Sequence, residues 1–347
     1  MFDLESINKH RLYIFGLATL WIALFHSYYL DLSSYSALSF MNIGVTLEGI
    51  KRLGSGGVDI FLVLSGIGLY YSFSKTPKVL TFYRKRLVRI IPSSFIVALA
   101  IAIIGGVSGV FAFIAKVTFL EFYLIRNADI RLWYISSILL LYLLFPLFFK
   151  IYSKMKYLGA LLIILVSVII TLMLFVLDKE AFNRLEIMLT RVPVFICGMV
   201  LGSIMKKGLK ISNVKALVIC LFGTVYFLVM MLLAIMIPEK YEFLRHYLYL
   251  PMAVSMVIIF AYIRSRISLT VLTKPIELLG KFSLEIYLIH QYLYESLDKV
   301  FKSIYENQLL YSLVIFAIAL VLSVILKLSV DFVVNKIQKK NATPKTT

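Results

Sequence analysis

Apolar positions in this chain come in long blocks, not at the spacing of a half-buried helix or strand. The first block, Leu12 to Leu30, holds 19 residues and contains no Lys, Arg, Asp or Glu. A helix of that length spans a bilayer core. Comparable blocks follow near 57–74, 92–115, 132–149, 157–177, 190–205, 216–237, 246–263, 279–297 and 308–335. The apolar segment around 117–125 is too short to cross and is expected at the interface or as a re-entrant piece. The pattern predicts an all-α integral membrane protein of about ten transmembrane helices. It predicts one polytopic membrane domain over 1–337 and a polar, disordered tail over 338–347. The first block follows a short polar start without a small-residue cleavage site, so it reads as a retained helix.

Composition agrees with this reading and adds an orientation. Hydrophobic residues are 61% of the 347 and charged residues only 16%, which no soluble domain of this size shows. Numbering the blocks divides the Lys and Arg into two alternating sets. One set takes the N-terminus, 75–89, 150–156, 206–215, 264–281 and the tail, with 23 of the 36; the other takes the remaining connections, with 12. Short connections rich in Lys and Arg stay cytoplasmic, so both termini are expected inside. The net charge of +18 is then mostly a topology signal, and nucleic acid is not an expected partner, because no folded domain offers a contiguous basic surface. Cys197 and Cys220 both lie inside apolar blocks, which argues against a disulfide framework or a thiolate metal site. Multi-pass insertion in the plasma or inner membrane, among lipids, is the expected location.

Titratable groups inside such blocks are functional candidates, because hydrocarbon gives them no reason to be there. His26 lies near the outer end of the first span. His290 falls in the outer half of the ninth, and Asp59 starts the second at the same side. Each histidine has a bland reading, a ring bonded to a carbonyl or a tyrosine; two at one depth favour chemistry or proton handling. Glu285, deeper than His290, either orients a catalytic group or pairs with a cation. Lys327 and Asp331, spaced i, i+4, read as a neutralising pair. On the cytoplasmic side Arg84, Lys85, Arg86 and Arg89 form a basic helical segment. Arginine forks suit phosphate, although such segments also bind anionic headgroups. Gly54, Gly56, Gly57, Gly66 and Gly68 allow close backbone approach, between helices or around a ligand.

In this order the motifs resemble the acyltransferase-3 family of integral membrane acyltransferases. They are LWIALFH (20–26), GGVDIFLVLSG (56–66), FYRKRLVRIIP (82–92), LWYISSILLLYLLFP (132–146), RVPVFICGMVLG (191–202) and LGKFSLEIYLIH (279–290). The resemblance implies a ten-helix bundle that moves an acyl group, usually acetyl, from cytoplasmic acyl-CoA to a glycan hydroxyl at the outer face. It implies His26 as the catalytic residue and Arg86 and Arg89 as ligands of the donor phosphates. Asp59 or Glu285 would orient a histidine, His290 would bind the acceptor or share the base role, and Arg84, Lys85 and Arg11 would serve the donor side. The acceptor would be a cell-surface or exopolysaccharide glycan, free or lipid-linked. A homo-oligomer or a biosynthetic complex is compatible with the pattern, and no metal is called for. His26 would act as a general base on the sugar hydroxyl or be acylated itself. Two departures stand out. The family's arginine eleven residues before the histidine is here Phe15, with Arg11 one turn earlier, and its glutamate after the Trp–Ser element is here Ile138 and Leu139. No fused esterase-like domain is expected. A glycan or lipid-linked-sugar transporter, using the same spans as a pathway, is the alternative.

Overall fold

In a computed structural model of the 347-residue chain, residues 1–27, 30–34, 43–125, 129–267, 269–297 and 307–342 are described. The order is β1 (Phe2–Asp3), α1 (Ser6–Lys9), α2 (Arg11–Phe25), α3 (Ile43–Arg52), α4 (Gly57–Lys75), α5 (Val79–Gly105), α6 (Val110–Val117) and α7 (Glu121–Leu124). Then come α8 (Trp133–Leu177), α9 (Lys179–Leu189), α10 (Val192–Met205), β2 (Lys210–Ile211), α11 (Asn213–Met236) and α12 (Glu242–Arg266). The last three are α13 (Thr270–Lys281), α14 (Ser283–Ser296) and α15 (Gln308–Ala342). The chain is thus a helical membrane protein. Among the described residues, seven helical stretches are long and apolar enough to cross a bilayer, within 46–75, 79–105, 133–177, 179–205, 213–233, 242–266 and 308–338.

Several boundaries differ from the apolar blocks, and each difference has a local cause. Helix α2 stops at Phe25, about 22 Å along, with His26 as its C-cap; part of the block's polar end, Tyr28 and Tyr29, lies outside the described residues. The 45 residues of α8 would run about 67 Å if straight. Lys156 interrupts them with φ 53° and ψ −130°, between the blocks at 132–149 and 157–177. Leu144, Phe148 and Ile151 then share one groove with Leu162, Val166 and Ile170, so the two arms fold back on each other. The block expected at 279–297 divides into the end of α13 and α14. Helix α15 continues through 338–342, the first half of the expected tail, and 343–347 lie outside the described residues. The apolar piece at 117–125 is broken between α6 and α7, neither longer than 8 residues.

The chain divides into two compact units. The first comprises 1–82 and 136–281, the second 83–135 and 282–347.

In the first unit the closest helix contacts are made through glycine. A Cβ on Gly66 would strike the backbone of Phe195 and Gly198, and one on Gly198 would strike the backbone of Val63. Helices α4 and α10 therefore touch main chain to main chain, which membrane helices favour because lipid leaves packing to hold them together. Gly16 and Gly280 do the same for α2 and α13, facing the backbone of Ile276 and Leu12. Replacing Gly198 by leucine is expected to cost about 1–3 kcal/mol through overpacking, seen as a lower thermal unfolding midpoint. An unchanged midpoint would refute the close crossing.

Polar contacts of the first unit gather at two ends. At one, β1 pairs antiparallel with β2, the Tyr71 hydroxyl donates to Glu5 and Lys206 donates to Ser74 at 2.9 Å. Arg264 there donates to Glu277 at 3.0 Å and lies over the Tyr13 ring. This end collects the N-terminal, 206–215 and 264–281 segments, which the Lys/Arg alternation assigns to one side. At the other end Trp21 donates to the Ile50 carbonyl at 2.7 Å, Lys51 donates to the Leu30 carbonyl, and Ser55 and Tyr249 share a 3.0 Å bond.

In the second unit, α14 and α15 exchange hydroxyl-to-carbonyl bonds through Tyr294 and Tyr311. The Ser93 hydroxyl of α5 donates to Glu285 of α14 at 2.9 Å.

Candidate active site

His26 ends α2 at the Trp21–Ile50 end of the first unit, partly exposed. Its Nδ1 lies 3.0 Å from the Ile22 carbonyl oxygen one turn back, and Phe25 packs edge-on against the ring. A carbonyl only accepts, so a neutral ring held in this way carries its proton on Nδ1 and its lone pair on Nε2. That is the tautomer of a general base. Just beyond His26 the chain is pinned by Lys51, which donates to the carbonyls of Ser27 and Leu30 and pairs with Glu48 at 3.2 Å.

Asp59 lies at the same end, in the first turn of α4, and is wholly buried. Its ion partner is Arg191, with Nε 3.2 Å from Oδ1, and neither carboxylate oxygen accepts a hydrogen bond among the described residues. Arg191 is only 2% exposed and its Nη1 reaches Thr190 Oγ1 at 3.4 Å. Thr190 Oγ1 is in turn 3.2 Å from His246 Nδ1, and that nitrogen is 2.8 Å from Glu186 Oε1. The carboxylate that holds a histidine is therefore Glu186, a residue that the sequence pattern did not single out, as it did not His246. The apolar block at 246–263 hides His246 at its edge, and no sequence spacing links it to Glu186, 60 positions away.

Arg11 stands at the opposite end of α2. Its guanidinium lies against Gly68, whose missing side chain leaves 3.1 Å between a Cβ and Nη2, and over the Phe15 ring at 5.5 Å. Phe15, where the resemblance expects arginine, stacks on Phe61 at 5.2 Å between centroids. The position is filled by an aromatic pair across α2 and α4, with the cation one turn back. The glycines of the second span serve helix contact at Gly54 and Gly57, which face Trp21 and Ile22, and make room for Arg11 at Gly68.

The remaining candidates belong to the second unit. Arg84, Lys85 and Arg89 of α5 are exposed and Arg86 is partly buried; Arg86, Arg89 and Ser93 share a face by their i, i+3, i+7 spacing. Ser93 is bonded to Glu285, and Lys327 of α15 comes within 4.0 Å of Glu285 and 3.6 Å of Asp331. Of the two readings open for Glu285, pairing with a cation from a neighbouring helix is the one these contacts display. His290 is 1% exposed, with Nδ1 2.7 Å from the Ile286 carbonyl, so its neutral ring also carries the proton on Nδ1.

Beside His290, α14 is clamped to the connection before α8. Asp129 takes Arg131 Nε at 2.8 Å and Nη2 at 2.9 Å, and the Tyr292 hydroxyl at 3.0 Å. The Arg131 guanidinium lies 4.0 Å from the Tyr292 ring centroid, and Tyr287 donates to the Arg131 carbonyl at 2.8 Å. Burial raises the Asp129 pKa, but the bonds from Arg131 and Tyr292 outweigh it and hold the value below its ordinary 3.8. A depressed carboxylate stabilises above its ordinary pKa and ceases to as pH falls through the folded value. The clamp should therefore be constant from pH 7 to 5 and weaken only below about 4. Asp129→Asn should cost about 1–3 kcal/mol at pH 7, read from hydrogen exchange of α14; equal protection in both proteins would refute the clamp.

Seven apolar helical stretches, each long enough to cross a bilayer, define a helical membrane protein. A model of the acyltransferase domain of the acyltransferase-3 family matches residues 16–328, nearly the whole chain. The chain belongs to this family and is a membrane acyltransferase. No curated protein and no solved structure matches it.

Proposed function

We propose that the chain transfers an acyl group, acetyl in the simplest case, from acyl-CoA on the cytoplasmic side to a hydroxyl of a cell-surface or exopolysaccharide glycan on the outer side. About ten crossings with both termini cytoplasmic carry it through the cell membrane. The observation behind this reading is the His26 ring, whose bond to the Ile22 carbonyl leaves Nε2 as the basic nitrogen. A sugar hydroxyl is a poor nucleophile until its proton is removed. In the proposed step Nε2 takes that proton while the hydroxyl oxygen attacks the thioester carbonyl. The new C–O bond forms, the C–S bond breaks, and the CoA thiolate recovers the proton from the imidazolium. The products are an acyl ester and free CoA thiol.

Arg86 and Arg89 are assigned to the donor's phosphates, with Arg84 and Lys85 adding positive charge on the same helix. Arginine suits this because its planar fork bonds two phosphate oxygens at once. Arg11 is assigned to the donor end of α2. Asp59 and His290 are assigned to the support of the acceptor side, and Glu285, held by Ser93 and Lys327, to helix pairing. The Lys/Arg alternation favours His26 outside and the basic segment of α5 inside, which a transfer across the membrane requires.

Mass spectrometry of surface glycans from cells with and without the gene tests the proposal. Acyl groups should be present in the first and missing from the second. Identical acylation would overturn it, and glycan transport by the purified chain in vesicles without acyl-CoA would favour the transporter alternative.

A further inference from the structure

Helix α8 turns back at Lys156, and a groove of about 450 Å³ runs between its two arms. From Met155 beside the turn to Leu144 is about 16 Å of helix, and Met188, Leu189 and Val192, from the junction of α9 and α10, form the far wall. The floor is buried and the rim is open: Phe148 and Ile163 are each 8% exposed and Val192 3%, whereas Leu147 and Val166 are each 53% exposed. The groove is therefore a slot cut into membrane-spanning helices, not a flat face. Among its lining residues only Ser167 is polar, and the Ser167 hydroxyl donates to the Ile164 carbonyl at 2.8 Å. Bound water needs two to four polar partners, and a sugar, nucleotide or metal ion would leave its polar groups unpaired here. Hydrocarbon suits such a wall. The volume holds about 15 methylene groups at about 30 Å³ each, the share a water takes in the liquid, which amounts to one acyl chain.

The turn end supplies the counterpart for a headgroup. Lys150, Lys154 and Lys156 are all exposed, and no Asp or Glu occurs from Trp133 to Leu177. Ile151 and Met155, both on the groove wall, are chain neighbours of these lysines, so the positive charge begins where the apolar slot ends. Tyr152 and Tyr157 pack edge-on at the same turn. The Tyr152 hydroxyl donates to Ser203 of α10 at 2.7 Å, which ties the first arm to the helix behind it. The lysines alone would be a topology signal, and the slot alone an ordinary lipid-facing surface. Their contiguity selects one ligand, a hydrocarbon chain that ends in a negative headgroup at the membrane surface. We propose that the α8 hairpin holds one anionic phospholipid from the leaflet at the Lys156 turn, with an acyl chain in the slot and its phosphate on Lys150 and Lys154. The lipid fills the space between the arms that no side chain occupies, and the site does not depend on the acyltransferase reading.

The test places the full chain in nanodiscs of equal phosphatidylglycerol and phosphatidylcholine with the same acyl chains, and weighs the released protein by native mass spectrometry. One phosphatidylglycerol per chain should be retained in preference to phosphatidylcholine. A lysine at an anionic headgroup contributes about fivefold in affinity. Lys150→Gln combined with Lys154→Gln should therefore lower phosphatidylglycerol retention about tenfold or more, to the level of phosphatidylcholine. Val166→Trp, which puts a ring into the slot from its exposed rim, should remove the retained lipid. If that variant fails to fold, Leu147→Trp, from the opposite rim, takes its place. No retained lipid, equal retention of the two lipids by the wild type, or wild-type retention in the lysine variant or a folded tryptophan variant would each overturn the site. Protein released as lipid-free pairs, which Val166→Trp splits into single chains, would give the slot to a second copy and overturn the lipid reading as well.

Discussion

Replacing His26 by alanine is expected to lower acyl transfer by about 10²–10⁴-fold, the usual loss when a general base is removed. The chain should stay folded. One bond of the ring is to a carbonyl of its own helix, and losing such a bond costs about 1 kcal/mol. Glutamine at this position separates geometry from chemistry, since its amide keeps a donor for the Ile22 carbonyl but has no basic nitrogen. It should be as inactive as alanine. Labelled donor distinguishes the two roles left open for the ring. A base leaves no label on the protein, whereas an acylated imidazole traps it when acceptor is withheld. Full glycan acylation in the alanine variant, measured by mass spectrometry, would sink the assignment.

Removing Arg191 alone should have the largest effect on stability, a loss of about 3–5 kcal/mol. Asp59 would then be an uncompensated carboxylate at zero exposure, with no hydrogen bond among the described residues to share the charge. Arg191→Met combined with Asp59→Asn should recover most of the loss, because it removes both charges from the same apolar surroundings. Thermal unfolding of the two proteins in the same nanodiscs gives the comparison. If the double variant is no more stable than the single one, the pair is not what holds this end of α4 against the turn before α10.

The membrane class was legible because hydrocarbon imposes one simple rule on every spanning segment, and the blocks obey it over most of the chain. Helix ends were less legible. The turn at Lys156 was legible from the Lys-rich connection at 150–156, although no proline or glycine occurs in the nine residues before it. The end of α2 was not legible and came five residues before the end of its apolar block. Hydropathy records where a residue prefers to be, not where the backbone hydrogen bonds run out. The candidate site was legible in part. His26 stood out because a histidine in an apolar run is rare, and Asp59 because a carboxylate there is rarer. His246 and Glu186 did not, since each lies at the polar edge of its helix, where such residues need no explanation.

From the sequence alone follow the membrane-embedded helical class, the alternation of charged connections and the family, as well as His26 as the group to test first. All of these depend on which residues occur and in what order, which is what lipid, the inserted chain and a family pattern read. Partner choice was decided only by tertiary structure. It paired Asp59 with Arg191, Glu186 with His246, Glu285 with Ser93 and Lys327, and stacked Phe15 on Phe61. A buried charge takes whichever counter-group the packing brings within about 3–4 Å. Residues 60 or 192 positions apart carry no mark of that in the chain. The glycine contacts at Gly66 and Gly198 show the same limit, since a glycine signals close approach but only the fold decides which backbone fills the space.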